Sequence, residues 1–346
     1  MARTIVGHTR RPRYRGTHPR QFREKYKELA ANPAIVAHLR EHGRTPAGQH
    51  VPILVAEILA AIDPQPGERG VDATLGWGGH AQRLLERIAP GGRLLALDAD
   101  PIELPRTEAR LRALGFDDQT LIVRRTNFAG VHRAIDEAGW REGADFLVAD
   151  LGVSSMQIDD PARGFSFKDE GPLDMRMNPR RGLSAARWLE RASEDALTEL
   201  FEDADEPQAR QIAAALVGER NHQGPFTTTR ALADAVRGAM EPQVDAADGD
   251  LAVRRVFQAI RIAVNDEFGA LDALLRQLPD CLRPGGRAAF LTFHSGEDRR
   301  VKKAFQEGER AGLYTQTPGA IIRPSPAEQR ANPRARAAKL RWAHRA

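Results

Sequence analysis

The apolar positions of this 346-residue chain fall into two regimes, and the change between them predicts how it is built. Before about His50 no period is sustained. Residues 1–20 read as irregular and basic, residues 21–42 as a short helix interrupted at Asn32-Pro33, and Gly43 to Gly48 as a Gly/Pro linker. From Val51 to Ile62 apolar residues recur at helical spacing until Pro64 and Pro66 stop them. Short apolar runs then alternate with helical stretches. Arg69–Thr74 predicts a strand and His80–Ile88 a helix, and Arg93–Leu97 predicts a strand with Pro101 opening the next helix. Thr120–Arg124 predicts a third strand before a helix near Ala129–Ala138, and Asp145–Ala149 a fourth. This alternation specifies the α/β class, a parallel sheet with helices on both faces.

The alternation stops at about Asp159, and helical signals alone run to about Asp250. Ser193 before Glu194 and Asp195 reads as a helix start, and Thr227–Thr229 as the cap of a helix beginning near Arg230. One long helix is expected from about Arg254 until Pro284-Gly285-Gly286, after which Arg287–Phe293 returns to strand. A helical block between strand-rich blocks reads as an insertion. Residues 50–158 and 255–346 are therefore expected to form one discontinuous sheet domain, 159–254 a helical inserted domain, and 1–49 a basic N-terminal extension.

Charge sharpens this division. The net charge of +4 hides two basic ends: residues 1–50 carry eleven Lys/Arg against three acids, and residues 321–346 seven against one, so the body between is net acidic. Clustered cations at both ends suit a polyanion, because they release counterions from phosphates; single Arg-rich ends equally serve solubility. A mitochondrial leader is the second reading of the N-terminus, but it lacks serine and holds Gly7, Pro12, Gly16 and Pro19. A single cysteine, Cys281, excludes a disulfide framework and a cysteine-based zinc site; no metal is expected, and the reducing cytoplasm is the expected compartment. No apolar run approaches the roughly 18 residues of a membrane span, so no membrane association is expected. Nothing in the chain specifies an oligomeric state.

The candidate chemistry gathers at strand ends. Asp72-Ala73-Thr74-Leu75-Gly76-Trp77-Gly78-Gly79-His80 is a strand, a glycine turn and a helix start, where a backbone without Cβ can approach a ligand. The turn alone fits NAD as well as S-adenosylmethionine. Asp98, about twenty residues on, ends the second strand, where an acid accepts ribose hydroxyls; its other reading is the N-cap of the helix at Pro101. Asn127-Phe128 follows the third strand with an aromatic for an adenine ring, and Asp150 ends the fourth. Four strands thus deliver a glycine turn, an acid, an aromatic and an acid to one edge of the sheet, where ligands of open α/β sheets bind.

Asp150-Leu151-Gly152-Val153-Ser154-Ser155, with Arg163-Gly164-Phe165-Ser166-Phe167, Gly171-Pro172-Leu173-Asp174-Met175-Arg176-Met177, Phe257-Gln258-Ala259-Ile260-Arg261-Ile262 and Phe293-His294-Ser295, resembles the bacterial small-subunit ribosomal RNA cytosine-N4 methyltransferases. The resemblance runs from about residue 50 to the end. It implies a Rossmann-like class I methyltransferase domain split by a mostly helical, RNA-holding domain. It also implies S-adenosylmethionine as cofactor, held by Gly78, Gly79, His80, Asp98, Phe128, Asp150 and Gln157, and ribosomal RNA of the small subunit as partner. The chain departs from the family pattern at Met156, Gly296, Asp205-Glu206-Pro207 and Leu251-Ala252, which keeps open a paralogue with another RNA target.

For transfer to an exocyclic amine, Asp150 and His294 are the candidate proton acceptors. Asp150 reads equally as a cofactor anchor, and His294 as a half-buried histidine bonded to backbone. Phe165 and Phe167 read first as core and second as a stacking surface. In the basic tail, Arg334, Arg336, Lys339 and Arg341 are expected on phosphates, with a solvated surface helix as the alternative. An NAD-dependent oxidoreductase and a noncatalytic RNA-binding assembly factor are the competing functions. The chain shows no catalytic pair suited to hydride transfer.

Overall fold

The computed structural model describes residues 52–240 and 245–346, so the expectations for residues 1–49 lie outside the described residues. In the first half, helices and strands alternate as α1 Val55–Ile62, β1 Arg69–Asp72, α2 Gly79–Ile88, β2 Arg93–Asp98, α3 Glu103–Ala113, β3 Leu121–Arg125, α4 Val131–Glu137 and β4 Ala144–Asp150. Helices α5 Ser155–Asp159, α6 Ala185–Arg191, α7 Glu194–Asp203, α8 Ala209–Gln223, α9 Thr229–Ala239, α10 Ala246–Asn265 and α11 Glu267–Cys281 follow. The chain closes with β5 Leu282–Thr292, α12 Ser295–Arg310, β6 Tyr314–Gln316, α13 Pro326–Ala331 and β7 Lys339–Arg345. None of the described helices is long and apolar enough to cross a membrane.

One seven-stranded sheet runs in the order β3-β2-β1-β4-β5-β7-β6. The first five strands pair in parallel, while β7 pairs antiparallel with both β5 and β6. This is the Rossmann-like class I methyltransferase arrangement. Alternate residues feed opposite faces, as the period of a strand requires. Val71, Leu95, Leu97, Leu147 and Phe290 face one core with α4, α11 and α12. Leu94, Ala96, Phe146, Val148 and Leu291 face the other, with α1, α2 and α3. A third apolar cluster, built around Leu197, Phe201, Ile212, Leu232, Val256 and Ile260, belongs to the helices between β4 and β5. Ser193 and Thr228 cap α7 and α9.

Three expectations are corrected. The long helix ending at Pro284-Gly285-Gly286 is two helices, because Asp266 takes φ 49° and turns the chain between α10 and α11. Pro284-Gly285-Gly286 instead sits within β5, where the pairing with β4 jumps from Ala144↔Leu282 to Phe146↔Arg287. The helix expected from Pro101 begins at Glu103, after a turn in which Asp100 Oδ1 accepts the N–H groups of Ile102 at 2.8 Å and Glu103 at 3.3 Å.

The basic tail is the third. It is neither a free arm nor a surface helix, since Lys339 and Arg341 lie in β7, deep in the sheet. Arg341 is 6% exposed and donates from Nε to Asp298 Oδ1 at 2.6 Å and from Nη2 to Oδ2 at 3.3 Å; Lys339 Nζ reaches the same carboxylate at 3.3 Å. Arg341 is therefore held by Asp298 within the sheet and does not stand free in solvent. Burial works to raise the Asp298 carboxyl, but Arg341 and Lys339 outweigh it and hold it below its ordinary value. Removing one partner of a buried pair leaves the other charge uncompensated. Asp298→Ala is expected to lose about 3–5 kcal/mol in urea unfolding at pH 7, and Asp298→Asn less, because it keeps an acceptor for Arg341.

Candidate active site

The strand order reverses at β1, whose neighbours β2 and β4 lie on opposite sides. At such a switch point the loops leaving the carboxyl ends part and open a crevice. A cavity of about 360 Å³ lies there, lined from Ala73 to His80 and by Asp98, Phe128, Asp150, Gln157, Arg261, His294 and Arg334.

The glycine turn is fastened at several points. Gly76 N donates to Asp98 Oδ2 at 2.8 Å, Gly76 O accepts from Thr107 Oγ1 at 2.6 Å, and Trp77 O accepts from Arg110 Nη2 at 2.6 Å. Gly76 and Gly78 have φ of 49° and 76°, which L side chains rarely adopt; a Cβ at Gly78 would also sit 2.9 Å from Thr107 Cγ2. No side chain caps α2 at Gly78.

Asp98 is not the N-cap of α3; the carboxylate that serves the N–H groups entering that helix is that of Asp100. Its Oδ1 accepts from Asp100 N at 2.8 Å and its Oδ2 from Gly76 N, which leaves each oxygen one lone pair for a ligand hydroxyl. Burial pushes its carboxyl up to about 6 against those N–H donors. Phe128 lies at the start of a 3₁₀ turn capped by Asn127, half-buried on the core and facing the cavity. His80 Nε2 and Glu103 Oε2 are buried without hydrogen-bond partners, and both residues line the cavity. Acceptors at Asp98, a flat apolar ring and orphaned polar atoms fit an adenosine-bearing cofactor.

Asp150, at the end of β4, is anchored through its own N–H to Thr74 Oγ1 at 2.6 Å, and its Oδ2 lies 3.5 Å from His80 Nε2. Burial alone would depress His80, but the carboxylates of Asp150 and Asp72 outweigh it and the net direction is up. Beneath them Asp72 is buried and pushed up to about 7 by loss of solvent, against the Thr74 N–H and His80. A carboxyl raised on folding, like a raised histidine, makes the native state hold more protons than the unfolded chain. Stability must then fall as pH rises from about 4 through 7. Asp72→Asn, which keeps an acceptor for the Thr74 N–H, is expected to flatten this dependence and raise the melting temperature at pH 8 by about 3 °C in calorimetry.

Gln157 lies at the cavity with both amide ends committed. Oε1 accepts from Ser154 N at 2.9 Å in a capping box, and Nε2 donates to Asp100 Oδ2 at 2.7 Å. That same oxygen accepts from Arg163 Nη1 at 2.8 Å, and Arg163 Nη2 donates to the carbonyls of Arg176 and Met177. Asp100 and Arg163 thus tie the rim of β2 to the segment after α5. The sequence reading gave neither a role in the site: Arg163 entered only within a family-like string, and Asp100 was passed over although an Asp immediately before Pro101 is a turn-forming signal in itself. His294 caps α12: its Nδ1 accepts from Glu297 N at 3.4 Å, the backbone bond its structural reading expected. Its Nε2 stands 3.1 Å from Glu297 Oε1 but is not aligned for a hydrogen bond, and its ring tilts against Phe268.

Phe165 and Phe167 pack on the helical core, Phe167 edge-on to Phe257, and neither lines the cavity. Gly296 also has a local reason. A Cβ there would fall 2.6 Å from Phe268, which fills the space a larger residue would need. Of the tail cations, Arg334 lines the cavity and pairs with Asp159 at 2.7 Å, and Arg336 is exposed.

Comparison with known proteins agrees with this geometry. The chain is 46% identical over 345 residues to Ribosomal RNA small subunit methyltransferase H 1 of Lachnoclostridium phytofermentans, covering 98% of this chain and 93% of that protein. It is 48% identical to Ribosomal RNA small subunit methyltransferase H 2 of Alkaliphilus metalliredigens, covering 97% of each. Ribosomal RNA small subunit methyltransferase H of Halorhodospira halophila is 43% identical over 86% of this chain and 95% of its own length. The model of the MraW methylase family matches residues 47–346. With a glycine turn and the acids Asp98 and Asp150 converging at the switch point of its sheet, and a family model matching residues 47–346, the chain belongs to the MraW methylase family.

Proposed function

We propose that this chain is an S-adenosylmethionine-dependent methyltransferase that modifies the N4 amine of a cytosine in small-subunit ribosomal RNA. The observation that carries the reading is the cavity that gathers the glycine turn, Asp98, Asp150, His294 and Arg261 in one lining. Gly78, Gly79, His80, Asp98, Phe128, Asp150 and Gln157 hold the cofactor, Gln157 acting through Ser154 and Asp100. The cofactor supplies a methyl group on a sulfonium, open to in-line displacement by the acceptor nitrogen.

The protein's part is alignment and exclusion of water, which is catalysis by proximity. The cytosine amine is a weak nucleophile because its lone pair is shared with the ring. A carboxylate that accepts an amine hydrogen strengthens it, and Asp150 is the acceptor at the rim. The base reaches the cavity only when turned out of its stack. Residues 50–158 and 255–346 form the methyltransferase domain, and the helical residues 159–254 hold the RNA. Arg334 and Arg336 remain the tail's phosphate contacts. The reducing cytoplasm suits the buried Cys281, whose thiol burial pushes up to about 12.

The test is tritium transfer from labelled S-adenosylmethionine to small subunits purified from a strain lacking this gene, with the product mapped by mass spectrometry. Label on a cytosine N4 is the expected result. Label on another nucleotide favours a paralogue, and tight RNA binding without transfer favours an assembly factor.

A further inference from the structure

We propose that the part of the cavity beside Arg261 is a subsite for the acceptor edge of the target pyrimidine, with Arg261 Nη1 donating to ring N3 and O2. The proposal rests on the RNA methyltransferase reading and names how that site selects its base. Arg261 lies near the end of α10. Its Nε donates to Glu267 Oε1 at 2.7 Å and its Nη2 to Glu267 Oε2 at 2.8 Å, so one edge of the planar guanidinium is fixed on a carboxylate that is itself 8% exposed. Nη1 is left over. Among the described residues it makes no hydrogen bond, yet it is not among the buried atoms lacking a partner, and Arg261 and Glu267 both line the cavity. Nη1 therefore keeps some exposure beside that space, with the Glu297 carboxylate of the same lining acting on the guanidinium at longer range.

A guanidinium nitrogen only donates, so its ligand must present acceptors. Cytosine carries N3 and O2 as adjacent acceptors beside its N4 amine, which donates and needs an acceptor of its own. The cavity offers both complements, a fixed donor at Arg261 and a carboxylate at Asp150. Uracil would turn an N3–H against the guanidinium. An apolar pair would hold two helices together at lower desolvation cost, so a buried ion pair with one open donor edge points to a ligand. Reading a turned-out base by its pairing edge is how base-modifying sites choose among bases.

The experiment uses the full chain and small subunits reconstituted with either cytidine or 3-deazacytidine, which has C–H in place of N3, at the methylated position. RNA affinity and single-turnover transfer are measured for wild type, Arg261→Gln, Arg261→Lys and Glu267→Gln, with cofactor affinity and melting temperature as controls for folding. Wild type is expected to lose about tenfold or more on the analogue. Arg261→Gln and Arg261→Lys, already weakened by a similar factor on cytidine, are expected to change less than about twofold between the two RNAs. Glu267→Gln, which loosens the fork, should fall between. If one arginine variant unfolds, the other carries the comparison. Equal losses in wild type and variants overturn the subsite while leaving the methyltransferase reading intact; no transfer by wild type to any RNA sinks both.

Discussion

Asp150→Asn is expected to slow methyl transfer to RNA by about two to four orders of magnitude while weakening cofactor binding by about tenfold at most, since the amide keeps an oxygen in the same place. The asparagine preserves the backbone anchor to Thr74 Oγ1, because that bond uses the main-chain N–H. It also keeps an oxygen near His80 Nε2. What disappears is a carboxylate that can take charge from the amine as the N–C bond forms. The companion variant separates the two proton acceptors. His294→Asn is expected to cost less than about tenfold, because the imidazole already caps α12 and stands against Glu297. Single-turnover transfer and calorimetric cofactor binding on both variants decide the assignment. A large loss at His294 with a small one at Asp150 would reverse the roles.

Asp98→Ala is expected to weaken S-adenosylmethionine binding by at least about a hundredfold, or roughly 3 kcal/mol, since two charge-assisted hydrogen bonds are lost. The same change leaves the Gly76 and Asp100 N–H groups without their acceptors, so the turn that shapes the cavity loosens too. Asp98→Asn, with one acceptor oxygen left, is expected to lose less. A pH signature accompanies the effect. The free carboxyl sits at about 6, and hydroxyl donors on a ligand favour its charged form. Below pH 6 a proton must leave before the ligand binds, so wild-type affinity falls toward about tenfold per pH unit. The asparagine variant has no such proton and should show no such slope from this group. Titration calorimetry at pH 5 and 7.5 checks both statements.

The chemistry read from the chain was legible wherever it depended on neighbours in sequence. Gly76 and Gly78 announced a turn that only glycine tolerates, and Asp98 lay at the end of a strand whose apolar run is unmistakable. Ser193 and Thr228 were read as caps because a side-chain oxygen serves N–H groups two or three residues on. The long helix failed at Asp266 because nothing in the apolar period of α10 and α11 is interrupted there. The break lives in one left-handed residue.

The tail was misread for a different reason. Arg334, Arg336, Lys339 and Arg341 look alike as a run of cations, but their fates are set by distant groups. Arg341 and Lys339 meet Asp298, about forty positions away, and Arg334 meets Asp159, which is far more distant in sequence. Strand β7, which carries Lys339 and Arg341, mixes apolar and cationic residues and is fixed as a strand by pairing between β5 and β6. In the same way Gln157 looked like a ligand-binding amide, and in the fold it braces Ser154 and Asp100.

The amino-acid order by itself determined the α/β alternation, the glycine turn, the acids at the strand ends and the helical block after β4, because each follows from backbone preference and side-chain period over a few residues. Only the tertiary structure decided which charges are sealed in pairs and which still face the cavity, because electrostatic pairing depends on burial and on partners brought together from remote parts of the chain.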